Sequence, residues 1–135
     1  MGRKHILLVD DKKEVLQPLA EGLRASDGEF EVFMAENGRK ALELIKTGRR
    51  IDLLVTDLEM PVMNGFELLA HVKRDYPSIP AIVLTGAITH QTKEQLKVIG
   101  DFVCIQKPVS FREIRQRIIH ELRIHADPEA NKKTK

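Results

Sequence analysis

Five polar side chains stand at the ends of short apolar runs. Asp10 and Asp11 follow HILLV, Asp57 follows DLLVT, Thr85 closes AIVLT and Lys107 follows FVCIQ. An apolar run that delivers a carboxylate into a turn, as LLVTDLEMPVMNG delivers Asp57, must also supply it with partners, because burying it alone costs at least several kcal/mol, roughly. If the runs lie side by side in one sheet, these residues share one rim. Three carboxylates about 5 Å apart repel by roughly 3 kcal/mol per pair at an effective dielectric near 20, and Lys107 alone does not neutralise them. A hard divalent cation does, and Mg²⁺ suits a few carboxylates, water and a phosphate oxygen. With that charge absorbed, an oxygen of Asp57 can attack phosphorus in line while Lys107 and the Thr85 hydroxyl hold the phosphoryl oxygens. The chemistry expected is an aspartyl phosphate.

That reading requires a particular set of elements. The five apolar runs, at 5–9, 30–35, 52–56, 81–85 and 102–106, are each of strand length. Helical spacing separates them, with Val15, Leu16, Leu19 and Leu23 in the first helix and Ala41, Leu42, Leu44 and Ile45 in the second. Asn64 stands three residues before Glu67, and Ser110 three before Glu113, as in capping boxes. Pro18, early in the first helix, removes at most one intrahelical bond, so it bends the first turns without breaking them. SDGEF, TGRRID and YPSIPA carry the Gly, Pro and Asp that turn a chain. Strands apolar on both faces, alternating with amphipathic helices, demand a parallel sheet covered on both sides, a doubly wound α/β domain. Glu29, Glu31 and Glu36 interrupt only the second run, which suits an edge. Ligands of such sheets sit beyond the carboxyl ends of the strands, where the strand order reverses.

Composition agrees with one globular domain. In 135 residues, 42% are apolar and 31% charged, enough apolar surface for a core that needs no covalent staple. Lys and Arg number 22 against 20 Asp and Glu, a net +2 too small to imply nucleic acid or an acidic membrane. The lone cysteine, Cys104, excludes an intrachain disulfide and suits a reducing, cytoplasmic location. As a side chain it reads as a small core hydrophobe. No run approaches the ~18 apolar residues of a membrane span, and MGRKHILLVDD is too short and too soon acidic for a signal peptide.

Together, LLVDD, VTDLEMPVMNG, VLTG and QKP resemble the motifs of the receiver domain of two-component response regulators. The resemblance covers residues 5–125 and leaves 126–135 as a polar, frayed tail. It implies a flavodoxin-like (βα)5 fold whose five parallel strands run in the order 2-1-3-4-5. It implies that Asp57 accepts phosphate from a phosphohistidine on a sensor histidine kinase or phosphotransfer protein, or from a small phosphodonor. Asp11, Asp57 and the backbone carbonyl of Glu59 would bind Mg²⁺ directly and Asp10 through water, with a cis peptide before Pro108. Phosphorylation would draw Thr85 inward, move the loop of Gly86 and Ala87, and reshape the face of the fourth helix, fifth strand and fifth helix for a partner.

Two positions stand out against that pattern. The family commonly carries Tyr or Phe three residues before the lysine, where this chain has Cys104. Phe102 faces the same side of the strand but lies one pleat further from the loop. Either the loop transmits the switch alone, or the output surface differs. Glu59, two residues past the acceptor, is expected to overhang the site, either ordering a water against the phosphoryl group or repelling an incoming anion.

Plainer readings compete with these. Asp10 and Asp11 could cap the first helix, and Thr85 could be a turn residue; their shared rim with Asp57 and Lys107 favours the chemical reading. His5, His71, His90, His120 and His125 lack metal-ligand spacing and read as surface residues. Arg112, Arg115, Arg117 and Arg123 read as a solvated helix face, opposite a core side of Phe111, Ile114, Ile118 and Leu122. No helix-turn-helix follows, so no direct nucleic-acid binding is expected. The rival functions are a pseudo-receiver acting as a constitutive binding module, which only Cys104 favours, and a metal-dependent phosphatase, which the loose D-x-D of DLEMP suggests. Output is expected from an effector in trans, from further phosphorelay, or from a domain outside this sequence.

Overall fold

The computed structural model describes residues 2–126. Five strands alternate with five helices: β1 (Lys4–Val9), α1 (Lys13–Arg24), β2 (Phe30–Ala35), α2 (Gly38–Lys46), β3 (Leu53–Thr56), α3 (Gly65–Asp75), β4 (Ala81–Thr85), α4 (His90–Ile99), β5 (Val103–Gln106) and α5 (Phe111–Ala126). Every strand pair is parallel and the order is β2-β1-β3-β4-β5. This is the flavodoxin-like arrangement, and each expected strand is present to within a residue at its ends. Ala126 still belongs to α5. The rest of the expected tail lies outside the described residues.

The unbroken apolar runs are explained by burial on two faces. Side chains alternate along a strand, so Leu7, Val9, Leu54 and Val83 join a core with α2, α3 and α4, while Ile6, Leu8, Leu53, Val55, Ile82 and Leu84 join another with α1 and α5. The central strands β1, β3 and β4 therefore have no polar face to show. β2 is an edge, as its glutamates suggest. β5 is the opposite edge, which its apolar sequence conceals because its residues still pack half-buried, Cys104 against one core and Val103 and Ile105 against the other.

Local signals act largely as expected. Asn64 and Glu67 form a reciprocal capping box, with bonds of 2.9 and 3.2 Å. At α5, Ser110 Oγ accepts the Glu113 N–H, but the Glu113 carboxylate takes the Ser110 hydroxyl and not its backbone N–H, so the box is half closed. α1 runs unbroken through Pro18. Two expectations for α5 need correction. Phe111 is 40% exposed: standing at the first helical position, it lays its ring over Gly22 of α1, where an added Cβ would meet it at 2.6 Å. Arg115 is not merely solvated, since it bonds Ser26 Oγ and pairs with Glu29, tying α5 to the α1–β2 turn.

Candidate functional site

The strand ladders carry the polar residues to one place. Asp57 continues the β1–β3 pairing by donating its N–H to the carbonyl of Val9 at 2.9 Å, and Asp10 donates to Ala35 at 3.1 Å. Lys107 does the same across β4–β5, donating to Thr85 at 2.8 Å. Each lies one step past the end of its ladder. The order reverses between β1 and β3, so Asp10 and Asp57 occupy the switch point where open α/β sheets place their ligands.

There, Lys107 Nζ lies 2.6 Å from Asp10 Oδ2 and 3.1 Å from Asp57 Oδ2. Both carboxylates are 5% exposed. Burial pushes the Lys107 ammonium down, but the hydrogen bonds and charges of Asp10 and Asp57 outweigh it and hold it above its ordinary value. Carboxylate oxygens of Asp10, Asp11 and Asp57 lie within 4.8 Å of one another. An all-oxygen, triply anionic donor set of this size fits a hard divalent ion such as Mg²⁺.

Asp11 is the exposed member, and its carboxylate lies 3.6 Å from Lys12 Nζ. The pocket therefore has a second ammonium, which sequence reasoning missed when it set Lys107 alone against three acids. Capping is not the role of the acidic pair. The residue preceding α1 is Lys12, which makes no side-chain cap, and Asp10 Oδ1 accepts the Lys12 N–H at 3.0 Å.

The segment after Asp57 is fixed by its backbone. Asp57 Oδ1 accepts the Leu58 N–H at 2.7 Å, and the buried Thr56 hydroxyl donates to the Asp57 carbonyl at 2.8 Å. Gly65 donates to Leu58 and Gly38 to Met63, both at 2.9 Å. A Cβ on Gly65 would lie 2.1 Å from the Asp57 carbonyl oxygen. Glycine is needed there for close approach. Between these anchors Met63 N–H bonds the Pro61 carbonyl at 2.8 Å across Val62, whose φ is 70°: a γ-turn, strained for a β-branched residue.

The remaining expected residues take different places. Glu59, Thr85 and Ala87 line one pocket of about 260 Å³ with Phe66 and polar residues of α4. Glu59 and Gly86 are exposed, and Thr85 is buried. The Lys107–Pro108 peptide is cis. Cys104 is half-buried in the α3–α4 core beside Phe102, so both face the same side. Burial pushes its thiol up, partly offset by Lys93. His5, His71, His90, His120 and His125 are partly or fully exposed.

Comparison with known proteins places the fold. The chain is 38% identical over 111 residues to a response regulator receiver protein of Anaeromyxobacter sp. (strain Fw109-5), covering 82% of this chain and 45% of that one. It is 34% identical over 116 residues to the transcriptional regulatory protein GlrR of Escherichia coli (strain K12), covering 84% and 25%. The chain thus spans half or less of the length of these curated relatives. Among solved structures, a CheY-like receiver domain protein from Methanospirillum hungatei JF-1 superposes with a TM-score of 0.83 at 26% identity, covering 93% of this chain and 98% of that one. Chemotaxis protein CheY4 of Vibrio cholerae gives 0.81 at 27%, covering 88% and 98%. The family model for the response regulator receiver domain matches residues 6–119, and a chain matched over most of its length, on the same fold, belongs to that family.

Proposed function

We propose that Asp57 is a phosphoacceptor, taking a phosphoryl group from a phosphohistidine of a sensor histidine kinase or phosphotransfer protein, or from a small phosphodonor. The observation that carries this reading is the Lys107 ammonium shared between Asp10 and Asp57 at 2.6 and 3.1 Å, inside a cluster of three carboxylates. An oxygen of Asp57 forms the bond to phosphorus as the donor's N–P or O–P bond breaks and the leaving group departs with the electron pair. Lys107 balances charge on the phosphoryl oxygens, and Thr85 offers a hydroxyl from the adjacent strand end. Asp10, Asp11 and Asp57 would hold Mg²⁺, with the Glu59 carbonyl as a further donor; the ion supplies positive charge where the phosphoryl group would otherwise meet three anions.

The protein would then act as a switch, self-phosphorylating and slowly self-dephosphorylating. The loop of Gly86 and Ala87 responds, and an effector in trans or a further domain reads the α4–β5–α5 face. A cytoplasmic location suits these partners, and no described helix is long and apolar enough to cross a membrane. One observation favours a constitutive binding module instead: Cys104 in place of an aromatic ring. Incubation with acetyl phosphate and Mg²⁺ followed by intact mass decides between them. A gain of about 80 Da that Asp57→Ala abolishes supports phosphoacceptance; no adduct, or one surviving that substitution, removes it. Hydrolysis of a phosphomonoester with turnover would point instead to a phosphatase.

A further inference from the structure

We propose that Lys12 is a tethered competitor for the metal: its ammonium occupies the Asp11 carboxylate and sets how tightly Mg²⁺ binds. The inference rests on Asp10, Asp11 and Asp57 forming the Mg²⁺ site.

The backbone of Lys12 is fixed at both ends. Its N–H donates to Asp10 Oδ1 at 3.0 Å, and its carbonyl accepts from Val15 and Leu16 at 3.0 and 3.1 Å. From that anchor its side chain places Nζ 3.6 Å from Asp11 Oδ1, with the lysine 52% and the aspartate 32% exposed. The three acids are thus divided between two cations. Asp10 and Asp57 share the buried Lys107, whereas Asp11 faces an ammonium standing in solvent.

An exposed ion pair adds little to folding stability. Its effect on a divalent ion is larger, because the ion carries twice the charge and needs the same carboxylate. Lysine suits such a role, having a compact charge on a flexible stem. It can leave Asp11 while its backbone stays bonded to Asp10. The neighbouring Lys13 provides a control, since it lies in a groove with Glu36 and Lys40. There the Glu36 carboxyl is held low chiefly by Lys40, with Lys13 adding to the effect.

The test is a Mg²⁺ titration of the full chain after chelator treatment, followed by amide NMR shifts and, separately, by melting temperature. Lys12→Met is expected to bind Mg²⁺ about fivefold more tightly than wild type, the order expected for one nearby charge in a solvent-screened setting. Lys12→Glu should bind more tightly still. Lys12→Arg should match wild type, and Lys13→Met should change nothing. Raising the salt to about 0.5 M should shrink the gain of Lys12→Met. Affinity of Lys12→Met within about twofold of wild type overturns the role of Lys12 and leaves the metal site standing. An equal gain from Lys13→Met also overturns it, by showing an effect of net charge alone. No saturable response in either wild type or Lys12→Met removes the metal reading and this inference together.

Discussion

Lys107 is shared by two buried carboxylates, so its removal strands both. Lys107→Met is expected to lower the free energy of unfolding in Mg²⁺-free buffer by about 3 kcal/mol, measured in urea, since breaking a buried ion pair on one side leaves uncompensated charge. Saturating Mg²⁺ should recover part of that loss. The pH dependence follows from the raised value of the ammonium. A lysine whose folded pKa exceeds its unfolded one contributes fully below the unfolded value of about 10.4 and loses the contribution as pH rises through the folded one. The gap between wild type and Lys107→Met should therefore stay level from about pH 6 to 9 and close only above about pH 10.5. A gap that closes near neutral pH would contradict the pairing. At Cys104, where burial pushes the thiol up and Lys93 only partly restores it, the thiolate is scarce. Alkylation by iodoacetamide at pH 8 is expected to run about tenfold slower in the native protein than in urea; equal rates would show an open, reactive thiol.

At the scale of elements, the segment that leaves Asp57 holds a strained residue. Val62 holds a φ of 70° at 72% exposure, so little side-chain packing offsets it. Val62→Gly should relieve it and raise unfolding stability by about 1 kcal/mol, the usual size for a left-handed position that gains glycine, less the entropy glycine adds to the unfolded chain. Gly65→Ala should do the reverse and more, because its Cβ would drive into the Asp57 carbonyl at 2.1 Å. If phosphorylation depends on this alignment, the rate with acetyl phosphate falls as well. These elements also show what the sequence made legible. The strands, the order of elements and the rim of Asp10, Asp57, Thr85 and Lys107 could be read, because apolar period and strand-end position are local signals. Arg115 with Glu29, Phe111 over Gly22 and Lys12 beside Asp11 could not, because each depends on how elements cross or how a loop aims one side chain. The 3-4-4 spacing that correctly buried Ile114, Ile118 and Leu122 failed for Phe111, where the helix begins and its neighbour is a glycine of another helix.

Across the whole molecule the two cores are unequally shared among the helices. α1, α2, α3 and α5 each bury three or more residues, whereas α4 buries only Leu96 and carries Val98 at 88% exposure. Thr89 caps the start of α4 by accepting the Thr92 N–H at 3.1 Å, so the helix is well formed locally but lightly docked. Few buried apolar contacts mean a low free energy for local opening. α4 also borders the pocket that contains Glu59, Thr85, Ala87 and Leu58, the residue next in sequence to Asp57, so a charge added at Asp57 would act close to the least anchored helix. Amide hydrogen exchange is therefore expected to be faster in α4 than in α3, although the two pack together. Acetyl phosphate with Mg²⁺ should alter protection in α4 more than in α1, since only a weakly held element can be shifted by the few kcal/mol that such a ligand supplies, roughly. Uniform protection of all five helices, or an equal response in α1, would show that the stability is shared evenly and that α4 is not where the switch is read.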